Sequence, residues 1–291
     1  LFLGISVIWG SSFLLIAMGL DTLTAGAVTF LRVGLGAVTL WLVRVYRLVS
    51  GRRPASARSF GGDPIIRGDW PLIVFVSFVW VAVPFTLFPL AQQHINSAIT
   101  GLLNGATPVF VAVVSVVLTR VVPSRRQLVG IAIGFIGLVL LSLPSINDGQ
   151  SQARGVALVL LATVCYGVAI NVAAPLQRRY GAITLMSWVL GLATIWLIPI
   201  GGRGLGDNVW AARSLVPVLV LGVVGTGAAY WIMSTLVGRV GSIRGSLITY
   251  LIPVVSLILG VLVRSDQVAP LALVGAVLIT VGALLASRRT P

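Results

Sequence analysis

Asn104 and Thr249 each stand four residues before a proline, Pro108 and Pro253. Proline has no amide hydrogen, so the carbonyl four residues back loses its helical donor. Each freed carbonyl here belongs to a residue that also carries a polar side chain. Around them, Ser97, Gly101, Asn104, Pro108 and Val111 recur in steps of four and three, as do Ser242, Ser246, Thr249, Pro253 and Ser256. Those steps hold each set on one helix face. Two readings fit. Two kinked helices could turn polar faces to a central cavity, where side chains and freed carbonyls hold a polar solute. Alternatively, the helices pack through small residues, with Ser and Thr bonded to their own backbone.

Arg32 sits inside an otherwise apolar run, FLRVGLGAVTLWL. A charge at such depth in a membrane is expensive and marks a functional position by default. It could hold an anionic group of a solute, or serve structurally by snorkelling toward Asp21 or the headgroups. Trp9, Trp80, Phe85, Phe88, Tyr166, Tyr230, Trp231 and Tyr250 could stack on an organic solute or simply pack. Trp9, Tyr166 and Tyr230 lie deepest, and Asn171 adds a polar group. Trp41, Trp70 and Trp210 read as interface anchors. Gln92, Gln93, His94 and Asn96 form a gate or a solvated turn. The expected substrate-binding set is Trp9, Arg32, Asn104, Tyr166, Asn171, Tyr230, Thr249 and Tyr250, with Pro108 and Pro253 as helix kinks.

The inventory excludes several chemistries. Every basic residue other than His94 is Arg and every acid is Asp, so a P-loop lysine and a zincin glutamate are both missing. Cys165 and His94 are each the sole residue of their type, which removes thiolate metal sites, internal disulfides and a Ser-His-Asp set. No catalytic residue, metal or cofactor is expected. A membrane-embedded enzyme would need a clustered acid, base or metal set, and none can be assembled. A non-transporting scaffold would not need polar stripes in both halves.

The elements that must position these residues are membrane helices. The chain has 291 residues, 58% hydrophobic and 9% charged, with mean hydropathy +1.08. Apolar runs of about twenty residues match the ~30 Å hydrocarbon core. About ten spans are expected: 1–20, 25–46, 71–91, 96–118, 127–144, 154–174, 183–201, 214–236, 242–263 and 269–286. The connection 47–70 reads as a flexible surface loop, and 145–153 divides the halves. Pro253-Val254 follows Pro108-Val109 by 145 positions, and Leu273-Val274-Gly275 follows Leu128-Val129-Gly130 by the same offset. Gly130, Gly134, Gly137, Gly275 and Gly282 mark packing faces on the fifth and tenth spans. The same faces suit an oligomer contact, a homodimer being the simplest.

Arg placement gives orientation. Arg44, Arg47, Arg52, Arg53, Arg58, Arg67, Arg120, Arg125, Arg126, Arg178, Arg179, Arg239, Arg244, Arg288 and Arg289 share one side if the spans alternate. Only Arg154, Arg203, Arg213 and Arg264 lie on the other. The Arg-rich side is expected in the cytoplasm with both termini, which also accounts for the net charge of +14 without nucleic acid. Five spans per half is odd, so the halves insert oppositely, as in many secondary transporters. The fold class is therefore an all-α integral membrane protein built as two inverted five-helix repeats, 1–144 and 154–288. The chain opens at Leu1 inside an apolar run, so residues are expected to precede it.

These features resemble the EamA-type drug/metabolite transporter family. The likeness rests on Trp9-Gly10-Ser11, on the run around Arg32, and on a proline-bearing helix, short loop and glycine-marked helix closing each half. The family usually carries an acid in that loop. Asp266 matches it in the second half, whereas Val121 stands there in the first. The resemblance implies that the first, third, fourth, sixth, eighth and ninth spans surround a substrate path, with the fifth and tenth peripheral. It implies a secondary transporter, an exporter or exchanger of a small metabolite, amino acid or drug by alternating access, in a bacterial plasma membrane.

Overall fold

The computed structural model describes residues 2–49, 65–120, 124–203, 205–240 and 248–287. Every regular element among them is helical. In lipid a chain must satisfy its backbone within each segment, which helices do. Eight helices are long and apolar enough to cross a membrane, and two shorter apolar ones, Thr249–Arg264 and Pro270–Ala286, follow them. The protein is a multi-pass membrane protein.

Phe2–Leu20 and Ala25–Val49 form the first two spans. The third runs as Trp70–Val76 and Val83–Ala91, joined by a π-helical stretch at Ser77–Ala82. The eighth repeats that construction, Ala212–Gly222 and Ala229–Val240 around the π-helical Val223–Ala228. The fourth span is not one kinked helix. It is Ser97–Asn104 and Thr107–Thr119, with a turn at Gly105-Ala106 and Pro108 in the first turn of the second piece. Proline is tolerated there because the first-turn amides lack partners anyway. The ninth span, described from Ile248 to Arg264, keeps Pro253 inside a continuous helix.

The fifth, sixth, seventh and tenth spans are Arg125–Asn147, Gln150–Tyr180, Ala182–Arg203 and Pro270–Ser287. The expected break at 145–153 shrinks to Asp148-Gly149. Gly149 adopts φ +125°, which lets the chain reverse within two residues.

Packing follows a reciprocal scheme. The first span packs on the eighth and ninth, and the sixth packs on the third and fourth. The second and seventh, fourth and ninth, and fifth and tenth pair with each other. Renaming each span by its counterpart in the other half leaves this pattern unchanged. The helix ends agree: Arg120 and Ser265, again 145 positions apart, both adopt left-handed backbone, φ 53° and 54°. Their amides donate to Val116 O and Val261 O, also 145 apart.

The fifth and tenth spans meet backbone to backbone. A Cβ on Gly130 would lie 2.5 Å from the amide nitrogen of Ala286, and one on Gly137 would lie 2.6 Å from that of Ile279. Gly275 and Gly282 face Leu141 and Gly134 just as closely. Apolar helices gain nothing by leaving lipid for one another, so such close approach supplies the attraction. These glycines are occupied by the packing of one span on the other within the chain.

The connections segregate to two ends. At the Arg-poor end, Arg264 pairs with Asp21 at 2.9 Å, Asn208 Oδ1 accepts from Thr24 N at 2.7 Å, and His94 Nδ1 lies 2.9 Å from Ser151 Oγ. At the Arg-rich end, Asp69 accepts from Arg179 and Tyr180.

Candidate functional site

Seven spans line a cavity of about 190 Å³. Its lining includes Trp9, Ser12 and Phe13 from the first span, Trp80, Phe85 and Phe88 from the third, and Tyr166 and Ile170 from the sixth. Asn104 and Thr107 enter from the fourth, Tyr230 from the eighth, and Thr249 and Ile252 from the ninth. Arg32 reaches in from the second. Of the residues expected to bind substrate, the structure brings together Trp9, Arg32, Asn104, Tyr166, Tyr230 and Thr249.

Asn171 and Tyr250 are not in that lining. Asn171 Nδ2 donates to Val111 O at 3.0 Å and to Gly167 O at 2.8 Å, so the amide ties the sixth span to the fourth. Ser242, Ser246 and Val121 lie outside the described residues.

The prolines act differently from one another. The Asn104 carbonyl, freed by Pro108, accepts from Thr107 Oγ1 at 2.7 Å. The break thereby turns Asn104 and Thr107 together into the cavity. The rest of that stripe is packing: Gly101 receives Ser256, Gly105 receives Pro253, and Ser256 Oγ donates to Ser97 O at 3.2 Å. Part of the face thus lines the cavity and part is packing.

Arg32 does not snorkel. It is 7% exposed, its guanidinium carbon lies 3.9 Å from the centre of the Phe85 ring, and its Nε donates to Thr226 Oγ1 at 3.2 Å. Asp21 is engaged by Arg264 instead. The Thr226 hydroxyl passes its own hydrogen to Leu221 O, five residues back, at 3.0 Å. That spacing matches the π-helical turn, where the ordinary carbonyl pairing shifts by one residue. Gly36, one turn after Arg32, allows the approach: a Cβ there would lie 2.6 Å from Thr226 Cγ2. The third span's π segment likewise supplies Trp80 to the cavity. Sequence reasoning missed both π segments, since neither carries a proline or another marker.

The rings of the lining form two groups. Trp9 meets Tyr230 edge-on at 6.0 Å, Phe13 meets Phe88 at 5.5 Å, and Phe88 meets Tyr166 at 5.9 Å. In the first, third and ninth spans the lining residues nearer the Arg-poor end are buried, namely Phe13, Phe85, Phe88 and Ile252. Their partners nearer the Arg-rich end, Trp9, Trp80 and Thr249, are half-buried. Trp41 and Trp70, read as anchors, instead both pack edge-on against Trp188.

The family's loop acid has a place. Asp266 Oδ2 accepts from Ser97 Oγ at 2.6 Å and from Ala98 N at 2.9 Å, capping the fourth span from the other half. Asn96 caps the same helix through Ile99 N and donates to Gln267 O at 2.8 Å. With Gln92 Nε2 on Phe13 O at 3.1 Å, the cluster at 92–96 ties together the first span, the start of the sixth and the loop before the tenth, rather than forming a plain solvated turn.

Comparison with known proteins agrees with this architecture. The chain is 26% identical over 284 residues to an uncharacterized transporter of Archaeoglobus fulgidus, covering 97% of this chain and 95% of that one. It is 23% identical to a probable terminal-alkyne amino-acid exporter of Streptantibioticus cattleyicolor, covering 98% and 91%. Over 54% of its length it is 28% identical to a probable amino-acid metabolite efflux pump of Escherichia coli, of which it covers 56%. A solved crystal structure superimposes with TM-score 0.65 at 18% identity, covering 98% of this chain and 94% of that one. Residues 1–143 and 153–288 each match the EamA-like transporter family. A duplicated helical chain whose halves close around one buried polar and aromatic cavity is thus a transporter rather than an enzyme, and it belongs to the EamA-like transporter family.

Proposed function

We propose that this transporter exports or exchanges a small organic metabolite of amino-acid size by alternating access, with the central cavity as its solute site. One observation carries the reading: the only membrane-depth cation among the described lining residues, two polar groups beside helix prolines and several aromatic rings converge on one cavity. Two of the relatives are named as exporters of amino acids or their metabolites, which supports that solute size. The reciprocal packing supports an inverted duplication, with halves 1–144 and 154–288. The excess of Arg at one end supports taking that end as cytoplasmic, with both termini on the cytoplasmic side of a bacterial plasma membrane. The buried lining residues and the polar ties at the Arg-poor end support a conformation sealed toward the outside.

Counterflow into proteoliposomes, across a panel of amino acids, sugars, nucleosides and cationic dyes, tests the reading. At least one panel member should exchange. Combining Asn104→Leu with Thr249→Val should cut that exchange about tenfold or more at unchanged melting temperature. Exchange by no member, or wild-type kinetics in the double variant, would remove the cavity assignment.

A further inference from the structure

Among the described residues, no acid pairs with the positive charge of Arg32. A guanidinium cannot give up its proton in a protein, and a buried charge without a partner is strongly unfavourable. The described acids stand elsewhere. Asp21 holds Arg264, Asp69 holds Arg179 and Tyr180, and Asp266 holds Ser97. Asp148 and Asp207 stand at helix ends, and no acid lines the cavity among the described residues.

The geometry at Arg32 points outward from its stem. Thr226 occupies Nε and Phe85 covers one face. Nη1 and Nη2 have no bond to any described residue, which leaves the end of the fork for a planar anion. A carboxylate meets such a fork with two parallel hydrogen bonds. A phosphate monoester would bring a second negative charge, for which the lining has no second cation.

The rest of the cavity suits an apolar body. Trp9, Trp80, Phe88, Tyr166 and Tyr230 offer ring faces and edges. The volume of about 190 Å³ compares with the ~150 Å³ of an engineered apolar cavity that holds benzene. One ring-sized body with a short polar head fills it. Nothing acidic in the lining would pair an ammonium group, which is left with the ring faces and the neutral oxygens of Asn104, Thr107 and Thr249.

We infer that the cavity takes a small monocarboxylate with an apolar body, its carboxylate on the Arg32 fork, and that an ammonium on the ligand is dispensable. This rests on the cavity being the solute site. Calorimetric titration of the purified protein with 3-phenylpropanoate, L-phenylalanine and L-phenylalaninamide tests it. Both acids should saturate within about tenfold of each other, and the amide should bind roughly 30-fold more weakly or not at all. Arg32→Gln should weaken both acids by that factor and leave the amide unchanged, with Arg32→Lys between. The inference fails if acid and amide bind the wild-type protein alike, if neither acid saturates up to its solubility, or if Arg32→Gln binds the acids normally. Should Arg32→Gln not fold, the acid and amide comparison on wild-type protein decides alone. A protein that exchanges solutes in the counterflow panel yet treats acid and amide alike loses this inference only.

Discussion

Asp266 shows how one side chain can join the halves of the molecule. Its carboxylate accepts from both the hydroxyl of Ser97 and the amide of Ala98, so it serves as a helix cap delivered from a distant loop. Replacing a capping residue by Ala typically costs about 0.5–2 kcal/mol. Asp266→Ala should therefore lower the melting temperature of the purified protein, and Ser97→Ala should do so less, because Ala98 N keeps its partner. Equal melting of Asp266→Ala and wild type would count against the cap. Sequence reading found Asn104 and Thr249 because the proline spacing and the 145-residue correspondence marked them. It could not find the Ser97–Asp266 bond, which spans 169 positions and follows no local pattern. It also set Arg32 against Asp21, the nearest acid in sequence, when the fold gives Arg32 to Thr226 and Asp21 to Arg264.

Among the helices, the glycine seam between the fifth and tenth spans fixes a distance. A side chain at Gly137 or Gly275 would press on backbone, which cannot rotate aside. Overpacking of this kind costs about 1–3 kcal/mol. Gly137→Leu or Gly275→Leu should lower the melting temperature, whereas Gly4→Leu, whose Cβ would meet nothing within 4 Å, should not. A wild-type melt for Gly137→Leu would mean the two spans can separate freely. The helical spans themselves were legible, because length and hydropathy set them. Their interruptions were less so. Pro108 and Pro253 occupy matched positions, yet one ends up at a helix start and the other inside a helix. The difference comes from Gly105, which packs against Pro253, and from Thr107, which caps the freed carbonyl.

For the molecule as a whole, two ends with different loop chemistry define a direction. Exposed Gln93 lies at the Arg-poor end, and Arg178 lies at the Arg-rich end. In a Cys165→Ala background, Gln93→Cys in intact cells should react with an impermeant maleimide, and Arg178→Cys should react only after the cells are opened. The opposite pattern would invert the orientation. Arg counting made this end-to-end asymmetry visible in the sequence, since it needs only the alternation of spans. Which spans pack together was not visible, apart from what the duplication implied.

The seam at Gly130, Gly137, Gly275 and Gly282 also bears on how the two copies can change over generations. At each crossing a glycine of one copy faces backbone of the other, so a side chain gained in either copy is penalised by its twin. Drift there is held in check mutually. Asn104 and Thr249 face open cavity instead, and each can vary without its counterpart's consent. A gene doubled in this way is held alike where main chains meet and is left free to diverge at the cavity.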